Sequence, residues 1–231
     1  MTKFSNFLCL RFAIKRLYDE NMVDLLLELK EKLGEFLRIN KILRALLISD
    51  VVLISAFGLV APIFAIFLTD KIEGGSLVVV GIAGAIHLAV KSLVQIPLGI
   101  VIDKTKGEKV DFWMAFGGSL MISAVAFMYL LAREPWHIYV IQFFYGLGSG
   151  ASYPAWMGLF TRNMEKGRES FIWSLSATPV ELGSAVAAGV GGYLAESFGF
   201  DLVFGLVGFL ALVGTLILTT FYDQVANVSG S

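Results

Sequence analysis

The chain has one cysteine, Cys9, two histidines, five prolines and only 16% charged residues in 231. A single cysteine excludes an intrachain disulfide and a cysteine metal cluster, and Cys9 reads as a plain apolar residue. The charge content falls well below the roughly one quarter usual in soluble domains, whereas 57% of the residues are hydrophobic and the mean hydropathy is +0.77. Water is therefore not the main solvent of this chain. A net charge of -1 and the lack of any long basic tract argue against a nucleic-acid partner.

What the chain does have is long apolar runs. Crossing about 30 Å of hydrocarbon takes roughly 20 apolar residues of helix. Six stretches reach that length: Ile42 to Leu68, Leu77 to Ile102, Phe112 to Leu131, Ile138 to Phe160, Phe171 to Ala195 and Leu202 to Tyr222. Lipid offers backbone groups no water to bond, so the runs are expected as helices of an all-α membrane domain over residues 41–222. Pro62, Pro97, Pro154 and Pro179 fall inside them and predict local kinks. Lys104, Lys106 and Lys109 mark the second loop, Arg162, Lys166 and Arg168 the fourth, and Arg38, Lys41 and Arg44 stand around the start of the first helix. The opposite loops hold only Lys71 and Arg133. Basic loops stay inside, so both termini are expected in the cytoplasm of a multi-pass cell-membrane protein, with Trp136 and Tyr139 at the outer interface.

Residues 1–40 differ in kind. Met22, Leu26, Leu29, Leu33, Phe36 and Leu37 share one helical face, with Glu28, Glu31, Lys32 and Glu35 mostly elsewhere, which predicts an interfacial amphipathic helix. The apolar run near Phe7 is broken by Arg11, Lys15 and Arg16 and does not read as a secretory signal. Translation starting at Met22 is a second expectation here, and residues 223–231 read as a short cytoplasmic tail.

A repeat runs through the apolar part. Asp50, Gly58 and Pro62 recur as Gln142, Gly150 and Pro154 at an offset of 92, and Gly99 and Asp103 recur as Gly192 and Glu196 at an offset of 93. Two three-helix units follow. With an odd number of helices in each, the second enters the membrane from the opposite side, an inverted repeat of the kind used for alternating access.

Ionisable groups at bilayer depth cost about 2.5 to 3.5 kcal/mol each on insertion scales, so each calls for a partner, a wet cavity or a function. Asp50, His87, Lys91 and Glu181 are the four, and helical rise sets them in one layer near the midplane. On the second helix His87, Lys91 and Gln95 are spaced by four and form a polar stripe; on the fourth, Gln142, Tyr145, Ser149, Ser152 and Trp156 form another. Together with Glu181 they are candidate walls of a solute or proton pathway, in which Lys91 meets an anionic group or a carboxylate and Asp50 or Glu181 carries a proton. The alternative is structural: an ion pair between Lys91 and Glu181 or Asp50 that only holds helices together, a satisfied interior His87, and an aromatic stripe that only packs. Gly146, Gly148 and Gly150 read as close helix contacts rather than a phosphate loop.

After the second helix, Gly99-Ile-Val-Ile-Asp103-Lys104-Thr-Lys-Gly107-Glu-Lys109 resembles the signature of the major facilitator superfamily. The glycine-rich fourth helix ending in Tyr153-Pro154-Ala155-Trp156 strengthens the resemblance, which spans about residues 40 to 222. It implies a solute transporter without cofactor or metal, and a cytoplasmic gate built by Gly99, Asp103, Lys104, Gly107, Lys109 and Arg162. The chain departs from the family at Lys106, one residue beyond the family spacing. It departs again at Gln142, where many proton-coupled members carry arginine, and at Ala187 and Ala188, where antiporters carry Gly-Pro. Members usually have twelve helices around a site between two halves, so this six-helix domain is expected to act as a homodimer or with a second six-helix half, in contact with lipid, a small solute and protons. A non-transporting scaffold or incomplete gene half is the runner-up. An intramembrane serine protease is disfavoured, because Leu147 stands two before Ser149 and the sixth helix has no histidine.

Overall fold

The structure, a computed structural model, describes residues 39–228 apart from Lys106. The apolar face from Met22 to Leu37 that predicts an amphipathic helix, and the expected start at Met22, lie outside the described residues. Among the described residues eight α-helices follow one another: α1 Lys41–Gly58, α2 Phe64–Asp70, α3 Leu77–Lys104, α4 Lys109–Met128, α5 Pro135–Arg162, α6 Glu169–Phe198, α7 Phe200–Ile217 and α8 Tyr222–Val228. Single turns of 3-10 helix extend α4 over Tyr129–Leu131 and α7 over Leu218–Phe221. No strand occurs among the described residues. Among the described residues three helices are long and apolar enough to cross a membrane, namely Leu77–Lys104, Lys109–Leu131 and Phe200–Ala226.

The first apolar run, expected as one helix, is two. Pro62 has no N–H to continue the ladder, and residues 59–63 turn instead, with Leu59 N–H donating to Ala56 O and Ile63 N–H to Val60 O before α2 starts. Pro97, Pro154 and Pro179 lie inside unbroken helices. Local signals set the other ends. Ser76 Oγ accepts from Val79 N–H at 3.3 Å to start α3. At α5 Pro135 occupies the first turn, and Glu134 and His137 form a reciprocal capping box, so His137 has a structural task. Before α6, Gly167 N–H donates to Glu169 Oε1 at 2.9 Å and holds that carboxyl below the usual range.

Four helices make the centre: α5 packs on α4, α4 on α7, α7 on α1, and α1 touches α5. The other two long helices flank it, α3 against α5 and α6 against α1. Most of these seams have small residues at their closest approach, which lets the backbones come together. A Cβ on Gly118 would stand 2.6 Å from Gly148 O, and one on Gly148 would stand 2.9 Å from Gly118 O. Ser49 Oγ donates to Gly214 O at 2.7 Å across α1 and α7, and Ser123 Oγ and Thr215 Oγ1 share a hydrogen bond of 3.1 Å across α4 and α7. Between the helices sits an aromatic core in which Phe67, Tyr129 and Phe204 meet at centroid distances of 4.7 to 6.2 Å. The flanking helices bury little: three residues on α3 and three on α6. Leu93, Ile96 and Ile100 on one, and Leu182, Val186 and Val190 on the other, stay exposed.

Candidate functional site

A chamber of about 390 Å³ opens where α1, α2, α3, α5 and α7 converge. Phe57, Val60 and Ala61 come from α1 and its turn, Phe64 from α2, Gly84, His87 and Leu88 from α3, and Gln142 and Tyr145 from α5. Tyr129, Phe204 and Val207 close the far wall. The walls are mainly aromatic and aliphatic with a few convergent polar groups, the usual make-up of a site for a small organic molecule.

The polar groups are held in place by their neighbours. Tyr145 stacks on Phe57 with centroids 5.4 Å apart and planes 10° apart, and on its other flank meets the His87 ring at 4.2 Å. Gln142, 5% exposed, donates from Nε2 to Tyr129 Oη at 3.0 Å, which fixes its amide against the chamber. His87 Nδ1 is buried without a hydrogen-bond partner. A buried imidazole nitrogen left unpaired beside a cavity is a group that a ligand or a water can satisfy. The close approach of α3 to α5 that sets this geometry depends on Gly146, whose Cβ would lie 2.7 Å from His87 O.

Of the nine residues that sequence reading assigned to a pathway, His87, Gln142 and Tyr145 meet at the chamber. The other six lie away from its lining. Ser149 is buried one turn along α5 from Tyr145. Lys91 lies half-buried on α3 with its ammonium 4.9 Å from the Tyr153 ring, and no ion pair joins it to Asp50 or Glu181. Asp50 is half-buried on α1, Gln95 half-buried on α3, and Glu181 exposed on α6. Trp156 stacks on Phe160 at 4.6 Å and leans on Trp173, with its indole Nε1 buried and unpartnered. The sequence reading missed Tyr129, Phe57, Phe64 and Phe204. Gln142 thirteen residues after Tyr129 was the available signal, since a buried amide calls for a partner.

The loop end of the bundle is organised by charge. Arg162, at the end of α5, pairs with the almost fully buried carboxylate of Asp111 in the first turn of α4 and lies 3.7 Å from Glu108 Oε1. Asn163 Nδ2 donates to the same Glu108 oxygen at 3.0 Å. Asp103, Lys104 and Lys109 are exposed, and Arg162 pairs with none of them. Gly107 has φ +86°, a conformation that a side chain disfavours, so the turn between α3 and α4 depends on glycine there. Gly99 faces Pro154 across α3 and α5.

Comparison with known proteins fits this architecture. The family model of the Major Facilitator Superfamily matches residues 46–229. Multidrug resistance protein MdtG of Serratia proteamaculans (strain 568) is 25% identical over 179 residues, which are 76% of this chain and 42% of that protein. The crystal structure of the POT family transporter PepTSo superposes with a TM-score of 0.65 at 17% identity, over 80% of this chain and 38% of that one. The chain thus spans less than half the length of these relatives. Its helices, packing and match over most of its length give one conclusion: the chain belongs to the major facilitator superfamily of membrane transporters.

Proposed function

We propose that this chain is a six-crossing half of a transporter that moves a small organic solute by alternating access, with the chamber at His87, Gln142 and Tyr145 on the solute path. The observation that carries the reading is the chamber itself, lined by residues of α1, α2, α3, α5 and α7 with His87, Gln142 and Tyr145 converging on it. Asp50, Lys91, Gln95, Ser149, Trp156 and Glu181 extend the path toward the loop end, and of the two carboxylates that could carry a proton we assign the role to the half-buried Asp50 rather than the exposed Glu181. Arg162, with Gly99, Asp103, Lys104, Gly107 and Lys109 around the turn before α4, belongs to the gate. The aromatic walls suit an amphipathic solute, in keeping with the name of the multidrug resistance relative.

The inverted repeat is supported by register. Gly58 on α1 would bring a Cβ to 2.9 Å from Ser184 Cα and 3.3 Å from Ala187 Cβ on α6. Gly150, 92 residues on, would bring one to 3.0 Å from Lys91 O and 2.9 Å from Val94 Cβ on α3. Ser184 and Ala187 follow Lys91 and Val94 by 93 residues, so each glycine meets the counterpart of what the other meets. The hydrogen-bonded Ser123 and Thr215 are themselves 92 apart, as two residues facing across a pseudo-twofold axis would be. Two such units related by inversion are what rocking around a fixed site requires.

The exposed apolar stripes of α3 and α6 are the surfaces we assign to a second copy or a second six-helix half, and the basic loops to the cytoplasmic side of the cell membrane, with both termini. The test is uptake into proteoliposomes under a pH gradient by wild type, Tyr145→Ala and Asp50→Asn. Uptake lost in Tyr145→Ala and freed of its pH dependence in Asp50→Asn is the expected result. Uptake by folded Tyr145→Ala at the wild-type rate would remove the chamber from the path.

A further inference from the structure

On the far side of the bundle from α3 and α6, a groove of about 210 Å³ lies between the first turns of α4 and the segment that ends α7. Phe112, Trp113, Phe116 and Tyr222 line it, with Thr219 and Asp223. Phe112, 2% exposed, is the floor. Trp113 stands edge-on to Phe116 at 6.0 Å and to Tyr222 at 5.6 Å, and Phe112 meets Tyr222 at 5.0 Å. Interfacial aromatics commonly point singly toward the headgroups. Here the rings pack on one another and together line a concavity, and an exposed carboxylate, Asp223, belongs to the same lining with no ion pair among the described residues. Several aromatic rings and a carboxylate around one hollow are what an alkylammonium group binds to, through the ring quadrupoles and the charge.

The depth of the groove selects the source of that cation. Trp113 is four residues inside the Lys109 end of one apolar span, and Tyr222 four inside the Ala226 end of another, so the groove lies roughly 6 Å from both helix ends. That is headgroup depth, on the side of the basic loops. Trp113, more than half exposed, opens the groove to the lipid side rather than to the chamber. Lys109, one turn nearer the helix end on the same face as Trp113, is exposed and within reach of a neighbouring phosphate.

We propose that this groove holds the ammonium headgroup of a phospholipid in the leaflet facing the basic loops. The site rests on the membrane reading of α4 and α7 and not on transport through the chamber. Purified protein in nanodiscs of phosphatidylglycerol with a minor share of phosphatidylethanolamine, examined by native mass spectrometry after release, reads which lipid stays bound. Wild type and Trp113→Phe are expected to retain phosphatidylethanolamine over phosphatidylglycerol, with the preference falling roughly tenfold in Asp223→Asn and in Trp113→Leu. Equal retention of the two lipids by wild type, or a preference unmoved by Asp223→Asn, would overturn the proposal. So would binding of tetramethylammonium to the groove with no retention of phosphatidylethanolamine, since the occupant would then be a free organic cation.

Discussion

Asp111 is 1% exposed, and the charge that answers it belongs to Arg162, whose side chain is 42% exposed. Removing one partner of such a pair leaves a buried charge with nothing to offset its desolvation, a loss of about 3 kcal/mol at the low end of the usual range. Arg162→Ala is therefore expected to destabilise the fold by that order in equilibrium unfolding from mixed micelles, and adding Asp111→Asn should recover much of it. At the chamber the expectation reverses. A hydrogen bond between membrane helices contributes only about 0.6 kcal/mol, so Gln142→Leu should unfold almost as wild type while solute binding weakens about tenfold, the equivalent of 1.4 kcal/mol. Matching losses of binding and stability would mean that Gln142 only packs. The polar residues of the chamber were legible in the sequence because His87, Gln142 and Tyr145 interrupt apolar runs. Phe57, Phe64 and Phe204 were not, since a phenylalanine in such a run looks the same whether it lines a cavity or fills a core. Lys91, Asp50 and Glu181 show the complementary limit: spacing along a helix gives depth, but pairing needs facing directions, and these three do not pair. Asp111 was missed because a carboxylate in a first helical turn is ordinarily a solvated partner of the helix dipole.

At the level of elements, the apolar runs foretold where helices lie, to within a few residues at most ends, but not which proline breaks one. Pro62 ends α1, whereas Pro97, Pro154 and Pro179 are carried inside long helices. Loss of one backbone bond is tolerated where neighbouring helices support the ladder, and a sequence does not reveal which neighbours those are. The glycine spacing was more informative, since Gly58 marks a close approach of α1 to α6 and Gly150 one of α5 to α3. Leucine at either glycine must push a packed helix aside, at a cost of about 1 to 3 kcal/mol. Gly58→Leu and Gly150→Leu are expected to lower stability by similar amounts, and Gly81→Leu, with open space around it, hardly at all. A large loss at Gly58 with none at Gly150 would contradict equivalent seams.

At the scale of the whole molecule, three apolar spans among the described residues and a family match over residues 46–229 fix a multi-pass membrane protein. The flanks of α3 and α6 bury only three residues each, and both carry apolar side chains outward. If a second half covers them, a cysteine at Leu93 should cross-link within an assembled transporter, and one at Leu120 on the outer face of α4 should not; comparing the two by gel mobility after oxidation tests the assignment. A chamber on a solute path must open to one face of the membrane, and its access can be measured. Ala61, exposed at the chamber wall, can be replaced by cysteine in a Cys9→Ser background and titrated with a membrane-impermeant thiol reagent added from either side of a sealed vesicle. The account predicts labelling from the side opposite the basic loops, slowed about tenfold by a transported solute. Labelling indifferent to every solute that the protein moves would contradict it.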